Sequence, residues 1–451
     1  MPKKKLNVVV FAVDSLRADH MDCYGYPRQT FPHVGRLVKG GVLFENAYSA
    51  YIPTTPAYTT MLTGRDVMST GIVALGPKGP IPPEIPTLPE VLGEEGYSSA
   101  CVGFGPGFYR GFDRYETYRS WMSWEERPGD KADALNEVAI PILDELSREE
   151  PFLLFLRHMD PHAPYLPPKP FDTMFYSKDP CDPKKKTMKK VFDFKPFAEF
   201  FKSWMPPGVT DWDYVVAQYD GALAYMDACI QRIFTRLEEL GVMEDTLIVL
   251  NADHGETLTE HEIYFDHHGL YEPTTHVPLL LYCPSRLPSS LRVPGFVLHQ
   301  DLMPTLLELV GLKRRVKGLG MDGQSVLPLI QGKRHTNYSE FLLTECTWMR
   351  KRGWRTPAWK LIKSLEPDFH QKPEVELYNL IEDPGENRNL ANKKKEVVQL
   401  LTDRMMSWIE KRMEETGRGD PILEYEIGLD KRIGSVRKAK ELQDTGKKKG
   451  S

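Results

Sequence analysis

The 451-residue chain reads as an α/β protein, a doubly wound and mainly parallel sheet with a smaller α+β subdomain at its C-terminal end. Three observations carry that reading. Short aliphatic and β-branched runs alternate with helix-period segments up to about residue 335. The first of those runs, "LNVVVFAV", is apolar but for Asn7, as a strand covered on both faces is. The length exceeds what a single core usually serves, so a large domain with a smaller companion is expected.

The elements follow in order. "LNVVVFAV" (6–13) predicts a buried first strand, followed by a polar stretch and the helix-like "PHVGRLVKGG" (32–41). "TLPEVLGEEG" (87–96) predicts a helix closed by Gly96, and "YSSACVGF" (97–104) the strand after it. "KADALNEVAIPILDELSREE" (131–150) predicts a helix leading into the strand "PFLLFLRHMD" (151–160). The amphipathic "YMDACIQRIFTRLEELG" (225–241) precedes "TLIVLNADHG" (246–255), and "HVPLLLYCP" (276–284) follows. Residues 169–212 are rich in Pro, Lys and aromatics, interrupt the alternation and are expected to form an inserted cap on a domain spanning 1–335. Beyond it, "WKLIKSL", "VELYNL" and a helix over 394–413 predict a small antiparallel-sheet subdomain over 336–415, and 416–451 reads as a basic, solvated tail.

Composition narrows the function. A net charge of −5 gives no electrostatic reason to expect nucleic acid as a partner. The six cysteines are scattered without a CxxC pair, which favours reduced thiols over a disulfide framework or a zinc site. The basic start and apolar run at 1–13 lack a small-residue cleavage site and meet Asp14 and Arg17 at once, so they read as a strand rather than a secretion signal. No stretch approaches membrane-spanning length. The expectation is a cytoplasmic protein acting on a small anionic molecule, with no membrane partner and with a homo-oligomer left open.

Ligands of parallel sheets bind beyond the carboxyl ends of the strands, so Asp14, residues 158–162 and the Asp253-His254 pair come first as candidates. Asp14 and Asp253-His254 follow two different strands and can converge on one ion. Two carboxylates and an imidazole suit Mn, Zn, Mg or Ca, and the imidazole tilts the choice toward a transition metal.

Eight spaced motifs, among them "VVVFAVDSLRADHMDCYGYP", "TTPAYTTMLTGR", "RHMDPHAPYLPP", "LIVLNADHGETLTEHE" and "HHGLYEPTTHVPLLLY", together resemble the sulfatase family of the alkaline phosphatase superfamily, over roughly residues 6–415. The resemblance implies an alkaline-phosphatase-like fold and one divalent metal ion held by Asp14, Asp253 and His254. It also implies that Thr54, set in register by Pro56 and "LTGR", stands at the nucleophile position. Sulfatases carry there a Cys or Ser that is oxidised to formylglycine, a change open to no threonine. An unmodified Thr hydroxyl can still attack phosphorus.

Tyr58 and Phe104 stand where the resemblance implies an Arg and a Lys, and Ser15 where many sulfatases have a further Asp. With those cations missing, a monoanionic phosphodiester or phosphonate monoester is favoured over a dianionic monoester. Tyr58 and Phe104 are then expected to bind an organic substituent, with Phe108 and Tyr109 as possible neighbours in an aromatic pocket. His162 is in register with a substrate-facing histidine, and either His267 or His268 completes the catalytic set. The leading reading is a metal-dependent phosphodiester or phosphonate monoester hydrolase. A sulfuric ester hydrolase without formylglycine and a non-hydrolytic lyase or decarboxylase acting on an aromatic acid compete with it.

Overall fold

Strand β1 (Asn7–Val13) is buried along its whole length because both of its faces are covered. Val9, Phe11 and Val13 enter one hydrophobic cluster, while Val8, Val10 and Ala12 enter another on the opposite side of the sheet. The structure, a computed structural model, describes residues 5–76, 80–105, 109–121 and 130–425.

In chain order the other strands are β2 (Val42–Tyr48), β3 (Tyr51–Ile52), β4 (Ser98–Gly103), β5 (Arg114–Thr117), β6 (Phe152–His158), β7 (Thr246–Ala252), β8 (His276–Tyr282), β9 (Leu291–Leu298), β10 (Phe341–Cys346), β11 (Arg350–Arg355), β12 (Trp359–Ser364) and β13 (Val375–Asn379). Eight of them form one sheet in the order β5-β4-β6-β1-β7-β8-β2-β9. Its pairings are parallel except where β8 runs against β7 and β2. The helices Lys131–Leu146 and Trp212–Glu239 cover one face, and Thr54–Thr63 and Leu302–Leu309 cover the other. This is the doubly wound arrangement expected from the alternating pattern.

The second sheet, in the order β13-β12-β11-β10-β3, is antiparallel from β10 to β13, with the helix Lys395–Thr416 packed on it. Its fifth strand comes from the large domain: β3 pairs parallel with β10, Tyr51 opposite Thr344. The chain therefore links the second sheet directly to the turn that presents Thr54.

Residues 417–425 depart from the solvated tail expected from 416 onward. Asp420 pairs with Arg352 of β11 and the Ile422 side chain is buried, so this stretch closes onto the second sheet. The rest of that tail, 426–451, lies outside the described residues, as does Phe108. Within 169–212, the helices Met188–Asp193 and Lys195–Trp204 bury Val191, Phe197, Phe201 and Trp204 in the first cluster, and the Phe197 ring lies 5.8 Å from that of His268. Among the described residues no helix is long and apolar enough to cross a membrane.

Candidate active site

Three neighbouring parallel strands end at one place. Val13 of β1 lies opposite His158 of β6 and Ala252 of β7, so the next residues, Asp14 and Asp253, leave adjacent strand ends side by side. Backbone bonds hold this exit: the Asp14 N–H donates to the His158 carbonyl (3.0 Å) and the Asp253 N–H to the Val13 carbonyl (3.2 Å). Ser15 then ties the two carboxylates together. Its N–H donates to Asp253 Oδ1 (3.2 Å) and its hydroxyl to Asp14 Oδ1 (3.1 Å). It does so with φ at 60°, a left-handed conformation that a serine adopts at some cost and that is concentrated at functional sites.

Asp14, Asp253 and His254 bring one ligand atom each to within 4.8 Å of one another, and all three are buried. His254 Nδ1 lies 2.9 Å from the Gly255 carbonyl, which accepts its proton and leaves Nε2 as a lone pair. Nε2 is 3.5 Å from Asp253 Oδ2 and 3.9 Å from Asp14 Oδ1. Burial lowers the His254 pKa to about 4, so the ring is neutral, as a metal ligand must be.

Burial also opposes charge on both carboxyls. The neighbouring side chains of His162, Arg157 and His254 outweigh it at Asp14 and hold that group well below the usual carboxylate range. At Asp253, burial and then the charge of Asp14 push the carboxyl up instead. Asp253 Oδ2 is buried without a hydrogen-bond partner. An orphaned carboxylate oxygen facing a second carboxylate and an imidazole lone pair is a donor set that fits a divalent cation.

Thr54 opens the helix Thr54–Thr63, whose N-cap is Pro53. Its hydroxyl does no capping: Thr54 Oγ1 lies 3.1 Å from His254 Nε2, at the edge of the ligand cluster. The helix N-terminus places backbone N–H groups and the positive end of the helix dipole beside that oxygen.

Position 58 departs from the expected substrate-binding role. Tyr58 is fully buried and packs its ring against Phe155 beneath the site. What fills the space beside it is Arg157, near the end of β6, whose guanidinium carbon lies 5.0 Å from the Tyr58 ring centroid and 3.7 Å from that of Phe104. Arg157 Nη2 donates to Asp14 Oδ2 (2.9 Å) and Nη1 to the Phe104 carbonyl (2.5 Å). Phe104 is half-buried over the guanidinium, with its edge toward Tyr118. Tyr109 is exposed and stacks on Tyr115. Sequence reasoning missed Arg157 because it sought polar residues after strands. The available signal was a charged residue directly after an apolar run and still within the buried strand, which demands a partner.

The structure separates the adjacent histidines. His267 stacks on His254 with ring centroids 4.4 Å apart, and the His162 ring lies 5.7 Å from it. Burial and then the neighbouring His254 lower the His267 pKa to about 3. His268 turns away: fully buried, its Nδ1 lies 2.8 Å from His370 Nε2, on the side of the second sheet. His162 sits on a loop pinned by the buried Lys131, whose Nζ donates to the His162 carbonyl (2.8 Å) and pairs with Asp160 (3.1 Å). The His162 Nδ1 proton goes to the Ala163 carbonyl (2.7 Å), leaving Nε2 for proton exchange. His158, by contrast, is fully buried against Phe11.

Comparison with known proteins finds similar chains and folds. The family model described as Sulfatase matches residues 6–312, and that for the C-terminal part of N-sulphoglucosamine sulphohydrolase matches 259–413. An N-acetylglucosamine-6-O-sulfatase of Bacteroides thetaiotaomicron is 23% identical, over 89% of this chain and 86% of its own. A multifunctional alkaline phosphatase superfamily protein of Trinickia caryophylli is 25% identical, over 72% of this chain and 77% of its own. The crystal structure of a phosphonate monoester hydrolase of Agrobacterium radiobacter superposes with a TM-score of 0.69 at 20% identity, covering 90% of this chain and 96% of that one.

Proposed function

The chain belongs to the sulfatase family of the alkaline phosphatase superfamily, whose members are metal-dependent hydrolases, and on that premise we propose that it hydrolyses phosphodiesters or phosphonate monoesters with Thr54 as an unmodified nucleophile. The observation that carries this reading is the 3.1 Å approach of Thr54 Oγ1 to His254 Nε2, which sets a hydroxyl with no capping role at the edge of the ligand cluster. Asp14, Asp253 and His254 would hold the divalent ion, which supplies charge neutralisation and makes a bound hydroxyl more acidic.

Thr54 Oγ1 passes its proton to solvent water as it bonds to phosphorus, and the bond from phosphorus to the departing oxygen breaks. His162, in its protonated form, donates from Nε2 to that oxygen. Water then cleaves the threonyl phosphoester and restores the hydroxyl. The threonine carbon bears one oxygen, so the route in which a hydrated aldehyde expels sulfate by re-forming its carbonyl is closed to it. That is why phosphorus is favoured, although several relatives are sulfatases by name.

The test is a panel of p-nitrophenyl sulfate, phosphate, alkyl phosphate diester and phosphonate, each with Mn, Zn, Mg or Ca. Turnover of the diester or phosphonate, with a phosphorylated Thr54 peptide trapped at low pH, supports the proposal. Turnover of the sulfate alone refutes it.

A further inference from the structure

The rings expected to bind an organic substituent are engaged elsewhere: Tyr58 is buried beneath the site and Phe104 lies over the Arg157 guanidinium. A different pair of aromatic side chains stands beside His162. Trp121 turns toward its imidazole, with ring centroids 6.4 Å apart and planes at 60°. The Phe200 ring lies 6.4 Å from that of Trp121, 30° from parallel with it.

Each ring is held by its own segment. Trp121 comes shortly after Tyr118, whose hydroxyl donates to the Arg157 carbonyl (2.8 Å) and accepts from the Met159 N–H (2.9 Å). The chain leaving β5 is thereby tied to the end of β6, next to the loop that carries His162. Phe200 belongs to the helix Lys195–Trp204, which buries Phe197, Phe201 and Trp204 in the core. Phe200 flanks that buried stripe and is itself half-buried. The indole of Trp121 is 47% exposed, a large apolar surface left in water at the edge of a cluster of imidazoles, carboxylates and a hydroxyl. Ligand sites are built in this way, aromatic side chains giving contact area and a few polar groups fixing orientation. Rings so placed favour another flat ring in edge-to-face or offset contact.

We propose that Trp121 and Phe200 form a subsite for an aromatic ring on the departing alcohol of the ester. The inference rests on the hydrolase reading and names the leaving-group class of that site, benzylic or phenolic alcohols in preference to saturated ones. A ring seated there carries its oxygen on the His162 side, where the proton is delivered.

Binding without turnover tests the subsite apart from the reaction. In the T54A background, loaded with Mn²⁺, calorimetry compares benzyl methyl phosphate, cyclohexylmethyl methyl phosphate and dimethyl phosphate, which carry the same charge and differ in one substituent. Benzyl methyl phosphate should bind at least about threefold tighter than its saturated counterpart. Adding Trp121→Ala should weaken the benzyl ester by about fivefold or more and leave dimethyl phosphate and the melting temperature unchanged. Trp121→Phe should keep most of the benzyl affinity, and Phe200→Leu, which keeps the bulk of the side chain, should lose part of it. In the wild-type protein, benzyl methyl phosphate should release benzyl alcohol in preference to methanol, and W121A should lose that preference. Undiminished benzyl binding in both W121A and F200L overturns the proposal, as does a saturated ring bound as tightly as the aromatic one. Equal weakening of all three esters in W121A also overturns it, since Trp121 would then only support His162. Preferential release of methanol would overturn the assignment to the departing alcohol. Failure of every ester to turn over, with this binding pattern intact, would refute the hydrolase reading and leave the aromatic subsite standing.

Discussion

Thr54 Oγ1 and His254 Nε2 lie 3.1 Å apart although 200 positions separate them in the chain. The contact requires the turn after β3 and the end of β7 to meet. Pairing of β3 with β10 anchors the turn, and the register of β7 on β1 fixes the strand end. A threonine hydroxyl brought so far to the imidazole of the proposed ligand cluster is placed to react.

Replacing that oxygen should therefore stop the reaction and leave the fold intact. Thr54→Ala is expected to lower kcat by at least about 10³-fold, and Thr54→Ser to retain measurable activity because it keeps the hydroxyl. Thr54→Cys should gain no sulfatase activity, since Tyr58 stands where the resemblance implies the Arg that accompanies an oxidisable Cys. Wild-type turnover of a phosphorus ester by T54A would remove Thr54 from the mechanism.

Metal removal should destabilise the protein. Without an ion, Asp14 and Asp253 face each other in a buried place, and Asp253 is pushed toward its protonated form. Ion binding stabilises the native state by about 2.7 kcal/mol at a hundredfold excess over Kd, so chelation should lower the melting temperature by several degrees. Asp253→Ala should lose the bound ion in elemental analysis and make the melting temperature indifferent to chelator. Full metal occupancy in that variant would sink the ligand assignment.

Much of this site was legible before the fold was known. Asp14 and Asp253 each follow an apolar run, and parallel strands that end together bring such residues together. Arg157 was hidden because its signal is an exception inside a strand rather than a pattern after one. The burial of Tyr58 was hidden because helix Thr54–Thr63 is buried on every side, so periodicity could not say which face met the site. The role of β3 escaped because two residues carry no periodicity, and its partner lies nearly 300 positions away.

The two histidines that sequence could not separate should behave differently. His267→Ala removes a ring stacked on His254 and is expected to reduce kcat by about 10–10²-fold with little change in melting temperature. His268→Ala removes a fully buried ring packed on His370 and Phe197, and should cost about 2–4 kcal/mol of stability. The reverse pattern in thermal melts and kinetics would exchange their roles.

Glu345 gives the protein a measurable pH signature. Its carboxyl accepts from the Gly269 N–H (3.0 Å), just after the paired histidines, and burial pushes its pKa up from 4.5 to about 7. A raised folded-state value means the native state holds the proton more tightly than the unfolded chain. The contribution is full below about pH 4.5 and is lost as pH rises through about 7. Glu345→Gln, which cannot titrate, should therefore flatten the decline in unfolding free energy between those limits in urea titrations. An unchanged slope would mean that Glu345 is ionised throughout.

His162 provides the last test, because acid assistance matters only when the leaving group needs a proton. An alkoxide leaves poorly without one, whereas p-nitrophenolate leaves readily as the anion. Lys131 and Asp160 pin the loop through the His162 carbonyl and the Ala132 N–H, so truncating the imidazole leaves the backbone in place. His162→Ala should then slow dialkyl phosphates by roughly 10²–10⁴-fold and p-nitrophenyl alkyl phosphates by much less. Equal losses for both leaving groups would assign His162 to substrate positioning, and the proton donor would have to be sought at His267, whose ring lies 5.7 Å away.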